Sequence, residues 1–467
     1  KHPPLRDPNL ERPDCSALEK RDQPPPDRVP VAISNGIVEE VASKLSGGAG
    51  PSGTDSTDLQ NMLLRFGAES AKLRSVLARL TEWLENTRPP WAADRALTAS
   101  RLVALDKCPG VRPVGIGEIY RRLMAKCAMN ASGHLATNAC GNFNLCAGLP
   151  AGIEGAVHAV RHQWDADESL TPLQETLLPR TVGGTEEETL AQSEAAHTGG
   201  TGTEVTEPTT GGAMDAHSVN SSTDESDPSV RAFLAVDAKN GFNELSRKCI
   251  MHTARHLWPA GCLFAFNCYR HSAKLIVRQY GQEAQVILSR EGITQGDPMG
   301  MVLFGVTVQP LAELLREAEP DLVQPWFADD TGMEGEVDTI GRAMDLLLIH
   351  GPQRGYFPEP SKSIMVCRPD DVDAIEEKLE RFQFTLTDGH RYLGGFVGTD
   401  ASLQDWLAPK VQRWAEGVRK LAQVAKRFPQ TAYAGLTKSF QIEWQYLQRM
   451  TPPGTIMGAF QPIEEAI

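Results

Sequence analysis

Between two apolar segments, Leu322–Phe327 and Thr331–Glu334, the chain places Ala328-Asp329-Asp330. Little besides a hairpin accommodates this. The link is too short for anything but a tight turn, and the flanks read as paired strands. Two carboxylates then stand side by side at the hairpin tip, where they repel each other unless a divalent cation lies between them. Mg²⁺ suits such a place, because it takes one or two carboxylates together with water and phosphate oxygens. Alone, an Asp-Asp turn is ordinary turn chemistry. The pair therefore has to be weighed with what else the sequence brings to the same sheet.

The apolar pattern from Val230 onward predicts that sheet. Phe233-Leu234-Ala235-Val236 reads as a buried strand ending at Asp237, and residues 243–258 suit a helix. Ala273–Tyr280 and Ala284–Ser289 flank Gly281-Gln282-Glu283 as another hairpin. A long helix is expected over Pro298–Ala318, another over 337–350, and a mostly helical region over 401–450. Hairpins with helices on one side make an α+β domain. Strand ends deliver side chains to an open rim, so Asp237 can join Asp329 and Asp330 in a three-carboxylate, two-metal site that activates a hydroxyl and steadies a leaving oxygen. Glu291-Gly292-Ile293-Thr294-Gln295-Gly296-Asp297-Pro298 supplies two glycines around a glutamine. Such a loop lets backbone approach a ligand closely. Asp297 is expected to cap the helix that follows.

The 467 residues allow several domains. Residues 1–56 are rich in Pro, Gly, Ser and charge and read as a disordered linker. Two helices are expected between Asp58 and Pro89-Pro90. Residues 165–229 hold fourteen acids and a single base, Arg180, with few apolar residues after Leu190. They read as an acidic disordered insertion, because so little apolar surface cannot offset the entropy of ordering. The net charge of −14 is nearly all in that stretch. The rest is close to neutral and can still hold a basic cleft. The nine cysteines form no Cys-x-x-Cys pair and have no zinc-finger spacing, which points to reduced, buried thiols inside a cell. Neither a leader nor an apolar run of about 18 residues supports a secreted or membrane-spanning chain. The first residue, Lys1, is not Met, so a longer product is expected.

Taken in order, Asp237-x4-Phe242, Gln295-Gly296-Asp297-Pro298 and Ala328-Asp329-Asp330 resemble the reverse transcriptase domain of non-LTR (LINE-type) retrotransposons. Pro360-Ser361-Lys362-Ser363 is similar to that family's lysine motif, and Tyr392-Leu393-Gly394-Gly395 to its primer-grip hairpin. Gly110–Gly117 followed by Tyr120-Arg121-Arg122-Leu123 resembles its fingers segment. The resemblance covers about residues 57–164 and 230–450. It implies a right-hand polymerase fold: fingers over 57–164, a palm over 230–400 made of an antiparallel sheet backed by helices, and a thumb over 401–467. It also implies roles. Asp237, Asp329 and Asp330 would bind Mg²⁺, or Mn²⁺ in its place, with Asp330 the least engaged. Phe242 would be a steric gate against a 2′-hydroxyl. Gln295 and Gly296 would touch nucleotide and template, and Lys362 the departing pyrophosphate. Arg112 and Arg121 or Arg122 would contact the triphosphate, since guanidinium forks suit phosphate oxygens. One of the adjacent arginines must face away on a helix.

The implied function is RNA-directed DNA polymerisation, with an RNA template, a DNA primer and dNTPs as partners, no membrane, and an intracellular, preferentially nuclear, location. Two departures stand out. Asn144–Gly152 lacks the basic residue that the family places after the fingers helix, and the acidic insertion is unusual. No endonuclease or RNase H segment is recognisable. Lys410, Arg413, Arg419, Lys420, Lys426 and Arg427 could follow a duplex backbone, while Trp406, Trp414 and Trp444 read as core. The rival readings are a catalytically inactive, retroelement-derived nucleic-acid-binding protein and another templated polymerase, RNA-synthesising or telomerase-like. Phe242 disfavours RNA synthesis.

Overall fold

The computed structural model of the chain describes residues 24–90, 92, 95–106, 111–142, 144–165, 230–278, 281–451 and 458–467. The acidic stretch, from 166 to 229, and the first 23 residues of the N-terminal arm lie outside them. Where the arm is described it is folded, in contrast to the disordered linker expected up to residue 56. Helix α1 (Asn35–Ser43) begins at Ser34, whose hydroxyl accepts the Ile37 N–H. Val31, Ile33, Val38 and Val41 are buried in the main core. A nine-residue helix has little stability of its own. Its order comes from packing on distant helices, which local composition does not report.

Helices α2 (Ser56–Leu64) and α3 (Gly67–Asn86) are the expected pair before Pro89-Pro90. Asp55 opens α2 with a reciprocal cap: its carboxylate accepts the Asp58 N–H at 2.9 Å, and Asp58 accepts the Asp55 N–H at 3.4 Å. The antiparallel strands β1 (Ser100–Asp106) and β2 (Val111–Gly117) come next. Helix α4 (Ile119–Cys140), a short turn at Leu145–Ala147 and α5 (Gly152–Asp165) complete this half.

The second half opens with β3 (Arg231–Val236), α6 (Gly241–Glu244), α7 (Arg247–Leu257), α8 (Cys262–Tyr269), β4 (Ala273–Val277) and β5 (Gln285–Ser289). It continues through α9 (Gly300–Ala318), β6 (Trp326–Phe327), β7 (Asp330–Glu336), α10 (Val337–His350), β8 (Ile364–Val366), α11 (Val372–Leu379) and β9 (Thr385–Thr387). The hairpin β10 (Gly389–Tyr392) and β11 (Gly395–Gly398) leads to α12 (Asp400–Ala425), α13 (Pro429–Gly435), α14 (Gln441–Met450) and α15 (Gln461–Glu464).

The fold is α+β. Five strands form the central sheet in the order β6-β7-β3-β8-β9. It is antiparallel from β6 to β8, but β9 runs parallel to β8, so the expected all-antiparallel sheet holds for four strands of the five. Alternation along β3 divides its side chains between two cores. Ala232, Leu234 and Val236 enter the main core, whereas Phe233 joins Val157, Val160, Trp164, Tyr392 and Val397. Both faces of the strand are thus buried, and the carboxylate of Asp237 marks where burial stops. The hairpin β4–β5 does not belong to this sheet, although it falls within the segment expected to form it. β4 pairs in parallel with β1, Ser100 opposite Leu275, in a second sheet of order β2-β1-β4-β5.

The C-terminal helices share a third core that includes Leu407, Val411, Trp414 and Trp444. Trp414 and Trp444 are accordingly packing residues, and Trp406 is half-buried. The seven described cysteines are buried. Among the described residues no helix is long and apolar enough to cross a membrane.

Candidate active site

Sheet register brings the acidic residues together. Val236 of β3 lies opposite Thr331 of β7. One residue further on, the same register sets Asp237 opposite Asp330, and directly opposed Cβ atoms on one face are about 5 Å apart. Phe327 pairs with Asp330, which leaves Ala328-Asp329 as the two-residue loop of the hairpin. Ala328 adopts φ +56°, a left-handed conformation costly for a residue with a Cβ and kept only where surroundings enforce it.

The Asn144–Ala147 turn is among those surroundings. Asn144 bridges to Trp326, and its amide donates to the Gly305 carbonyl at 2.6 Å. The Ala328 N–H faces the Cys146 sulfur, whose pKa burial pushes up to about 12, keeping it a neutral thiol. On the other side of the loop Gly241 leaves room for Asp329. A Cβ at Gly241 would lie 2.8 Å from the Asp329 Cβ.

The three carboxylates feel one another. Burial, then Asp329, then Asp237 push the Asp330 pKa up to about 6, while Arg112 and Arg391 pull it back. Asp330 keeps part of its side chain in water, which tempers the effect. Asp237 is exposed at the end of β3. Its N–H donates to the Ser363 hydroxyl at 3.0 Å, and its carbonyl accepts the Glu359 N–H at 2.8 Å. The lysine segment is thereby docked beside the acids. Lys362 is exposed and donates to Glu359 at 2.6 Å. That bond, and the fields of Glu359 and Asp237, hold its ammonium above the ordinary lysine range.

Among the described residues no three His, Cys, Asp or Glu side chains are arranged to hold a metal ion as they stand. The donor set nevertheless has the chemistry of one. It consists of hard oxygen ligands, crowded enough to raise a carboxyl pKa, on a rim open to solvent. Asp237 and Asp329 are the residues that would hold a divalent cation, with Asp330 next to them in the register.

The floor of the site follows directly from α6. Phe242 is half-buried, its ring 5.0 Å from that of Phe304, and its carbonyl accepts the Ile293 N–H at 2.7 Å. That bond links the floor to the Gln295 loop. Gly296, exposed at φ +97°, sits where a Cβ would come 3.0 Å from the Gly115 carbonyl oxygen. The Gly115 N–H donates to the Gln295 carbonyl at 3.0 Å, so β2 is pinned to the loop backbone to backbone. The Gln295 side-chain oxygen is buried without a partner, an open valence at this loop.

The arginines divide. Arg112 is exposed on β2, and its charge reaches Asp330. Arg121 and Arg122 are both buried in α4, where at least one of the two was expected to turn from the cleft. Arg121 pairs with Asp297, and Arg122 donates to the Gly48 carbonyl at 2.6 Å and the Ser46 carbonyl at 3.3 Å. Asp297 is not the simple cap expected at Pro298. The regular helix starts at Gly300, and the Asp297 carboxylate accepts the Met299 N–H at 3.1 Å as well as the Arg121 guanidinium.

Two neighbours of the acids were not singled out from sequence. Arg391 precedes Tyr392 in β10, and its charge acts on Asp330, on Lys410 and on Tyr446. The available signal was its place beside the Tyr-Leu-Gly-Gly turn. Tyr356 donates to the Thr331 hydroxyl at 3.2 Å beneath the carboxylates, and nothing in its sequence neighbourhood marks it. Lys410 lies over the Trp406 ring at 3.6 Å. Burial, then Arg391 and Arg413, lower its pKa, so these three cations share one surface.

No protein-family model matches the chain, and no curated protein does. Solved structures similar to it include the telomerase of Candida albicans in complex with a fragment of telomeric RNA, at 9% identity and a TM-score of 0.35, covering 67% of this chain and 47% of that one. The apo telomerase of Candida tropicalis is similar at 9% identity and a TM-score of 0.36, covering 70% and 52%. Its form truncated from the C-terminal domain gives 10% and 0.34, covering 65% and 53%. The chain thus spans about half the length of the structures it matches. Likeness at that level assigns no activity.

Proposed function

We propose that this chain is an RNA-directed DNA polymerase of the non-LTR retroelement type, with a right-hand arrangement of fingers, palm and thumb. The observation that carries the reading is the meeting of Asp237, Asp329 and Asp330 at adjoining strand ends, electrostatically coupled and flanked by Phe242 and the Gln295-Gly296 loop. A divalent cation, Mg²⁺ or Mn²⁺, when bound by Asp237 and Asp329, would supply charge neutralisation at a reacting phosphate and acidify a primer hydroxyl. The chain's own groups do the rest. Phe242, half-buried on the floor of the site, would put its aromatic ring beneath the sugar and exclude a 2′-hydroxyl, which favours dNTPs. Gln295, with its unpaired oxygen, and Gly296, with bare backbone, position nucleotide and template. Arg112, whose charge reaches Asp330, would steady a triphosphate. Lys362, charged and near Asp237, is placed to neutralise departing pyrophosphate. Arg391, Lys410 and Arg413 offer a cationic surface to a primer–template backbone. RNA, a DNA primer and dNTPs are the partners this implies, inside a cell and preferentially in its nucleus.

A second reading, nucleic-acid binding without catalysis, draws on the absence of a ready-made metal cage among the described residues. Primer extension on poly(rA)/oligo(dT) with Mg²⁺ separates the two. Incorporation of dTTP supports the polymerase, and binding without incorporation supports the alternative.

A further inference from the structure

The proposed reaction leaves a buried polar cluster unused. The Asp297 side chain is fully buried, and three donors converge on its carboxylate. Arg121 from α4 and the Tyr269 hydroxyl from α8 share Oδ2, and the Met299 N–H at the head of α9 takes Oδ1. The Tyr269 ring is itself held between two cations, with the Arg247 guanidinium 5.2 Å and that of Arg121 5.7 Å from its centre. Burial works against the charge of Arg121, but Asp297 together with Cys268 and Tyr269 more than offsets it, so the guanidinium keeps its charge. A buried ion pair of this kind contributes little net stability compared with apolar packing, because desolvation consumes most of the attraction. What it does fix is geometry.

The geometry in question is that of Gln295 and Gly296. They immediately precede Asp297, and the Asp297 N–H donates to the Thr294 carbonyl at 3.0 Å. Gly115 grips the loop from the other side, so that a Cβ on Gly115 would lie 2.5 Å from Thr294 Cγ2. The two residues expected to meet the nucleotide are therefore stretched between two fixed points. We propose that Arg121, Tyr269 and Asp297 are positioning residues, a buried clamp through which α4 and α8 set the Gln295-Gly296 loop for nucleotide contact. The inference rests on the polymerase reading and adds residues that never touch the substrate.

The test is steady-state single-nucleotide incorporation of dTTP on poly(rA)/oligo(dT) by the parent chain, Tyr269→Phe and Arg121→Lys. Thermal melting and primer–template affinity are measured alongside. Tyr269→Phe deletes one bond to Oδ2 and keeps the ring between the arginines, so the fold is retained. A loosened loop raises the KM for dTTP about tenfold with kcat changed less than about threefold, as expected when binding rather than chemistry is lost. Melting temperature falls by no more than a few degrees, the cost of one buried bond, and primer–template affinity stays at the parental value. Arg121→Lys, which keeps the charge but not the fork, falls between parent and Tyr269→Phe. An active parent whose dTTP KM is the same in Tyr269→Phe overturns the clamp and leaves the polymerase standing. So does a variant whose kinetic loss only tracks a fall in melting temperature. A parent with no incorporation overturns the polymerase reading and the clamp with it.

Discussion

Glu85 offers a prediction that needs no assumption about activity. It lies near the end of α3, only 2% exposed, and neither carboxylate oxygen has a hydrogen-bond partner. Burial pushes its pKa from 4.5 up to about 9, so the folded protein holds Glu85 neutral across the physiological range. Its presence in turn helps to raise the thiol pKa of Cys127. Between pH 4.5 and about 9 the folded state binds a proton that the unfolded chain releases, so this residue's contribution falls as pH rises. The loss is about 1.4 kcal/mol per pH unit, or about 4 kcal/mol from pH 5.5 to 8.5. Glu85→Gln keeps the shape and cannot ionise. Thermal melting of parent and variant across that range is the assay. The variant's advantage should widen steadily with pH, to roughly 5–10 °C at the alkaline end. Parallel melting curves would show that Glu85 is ionised in the fold, with a partner that the packing does not reveal.

Other substitutions probe the candidate site. In Gly241→Ala, the new Cβ at 2.8 Å from Asp329 forces the turn aside by an appreciable fraction of an ångström. Nucleotide incorporation should then fall about a hundredfold, with little change in dNTP KM, because displacement of a reacting group is that costly. Phe242→Ala should admit rNTPs at a rate much closer to that for dNTPs, read as the ratio of kcat/KM values for the two. The double substitution Arg391→Gln with Lys410→Gln should weaken primer–template binding and reduce the slope of log affinity against log salt by about 1–2, measured by fluorescence anisotropy at several salt concentrations.

Local pattern reported local structure well. A continuous apolar run marked β3 as a buried strand, the apolar flanks of Asp329-Asp330 marked the hairpin, and α10 runs over the residues its periodicity gave, Val337–His350. What escaped was whatever depends on distant packing. α1 was hidden in a Pro- and Gly-rich arm because its burial comes from α3 and α4, which lie far along the chain. The parallel pairing of β4 with β1 joins strands some 170 residues apart, and no periodicity encodes it. The same holds for the site. Asp237, Asp329, Phe242 and the Gln295 loop were legible as an ordered set of motifs. The burial of Arg121 against Asp297 was not, because an arginine beside a Tyr-Arg-Arg-Leu helix start looks alike whether it faces solvent or a carboxylate 176 residues away.

The central claim is that Asp237 and Asp329 make this rim a nucleotidyl-transfer site. Primer extension with Mg²⁺ on poly(rA)/oligo(dT), comparing the parent chain with Asp329→Asn, tests it most directly. Incorporation of dTTP by the parent, lost by at least about two orders of magnitude in Asp329→Asn with primer–template binding retained, is the predicted result. A parent that binds primer–template without extending it, or an Asp329→Asn variant that extends as well as the parent, would contradict the claim.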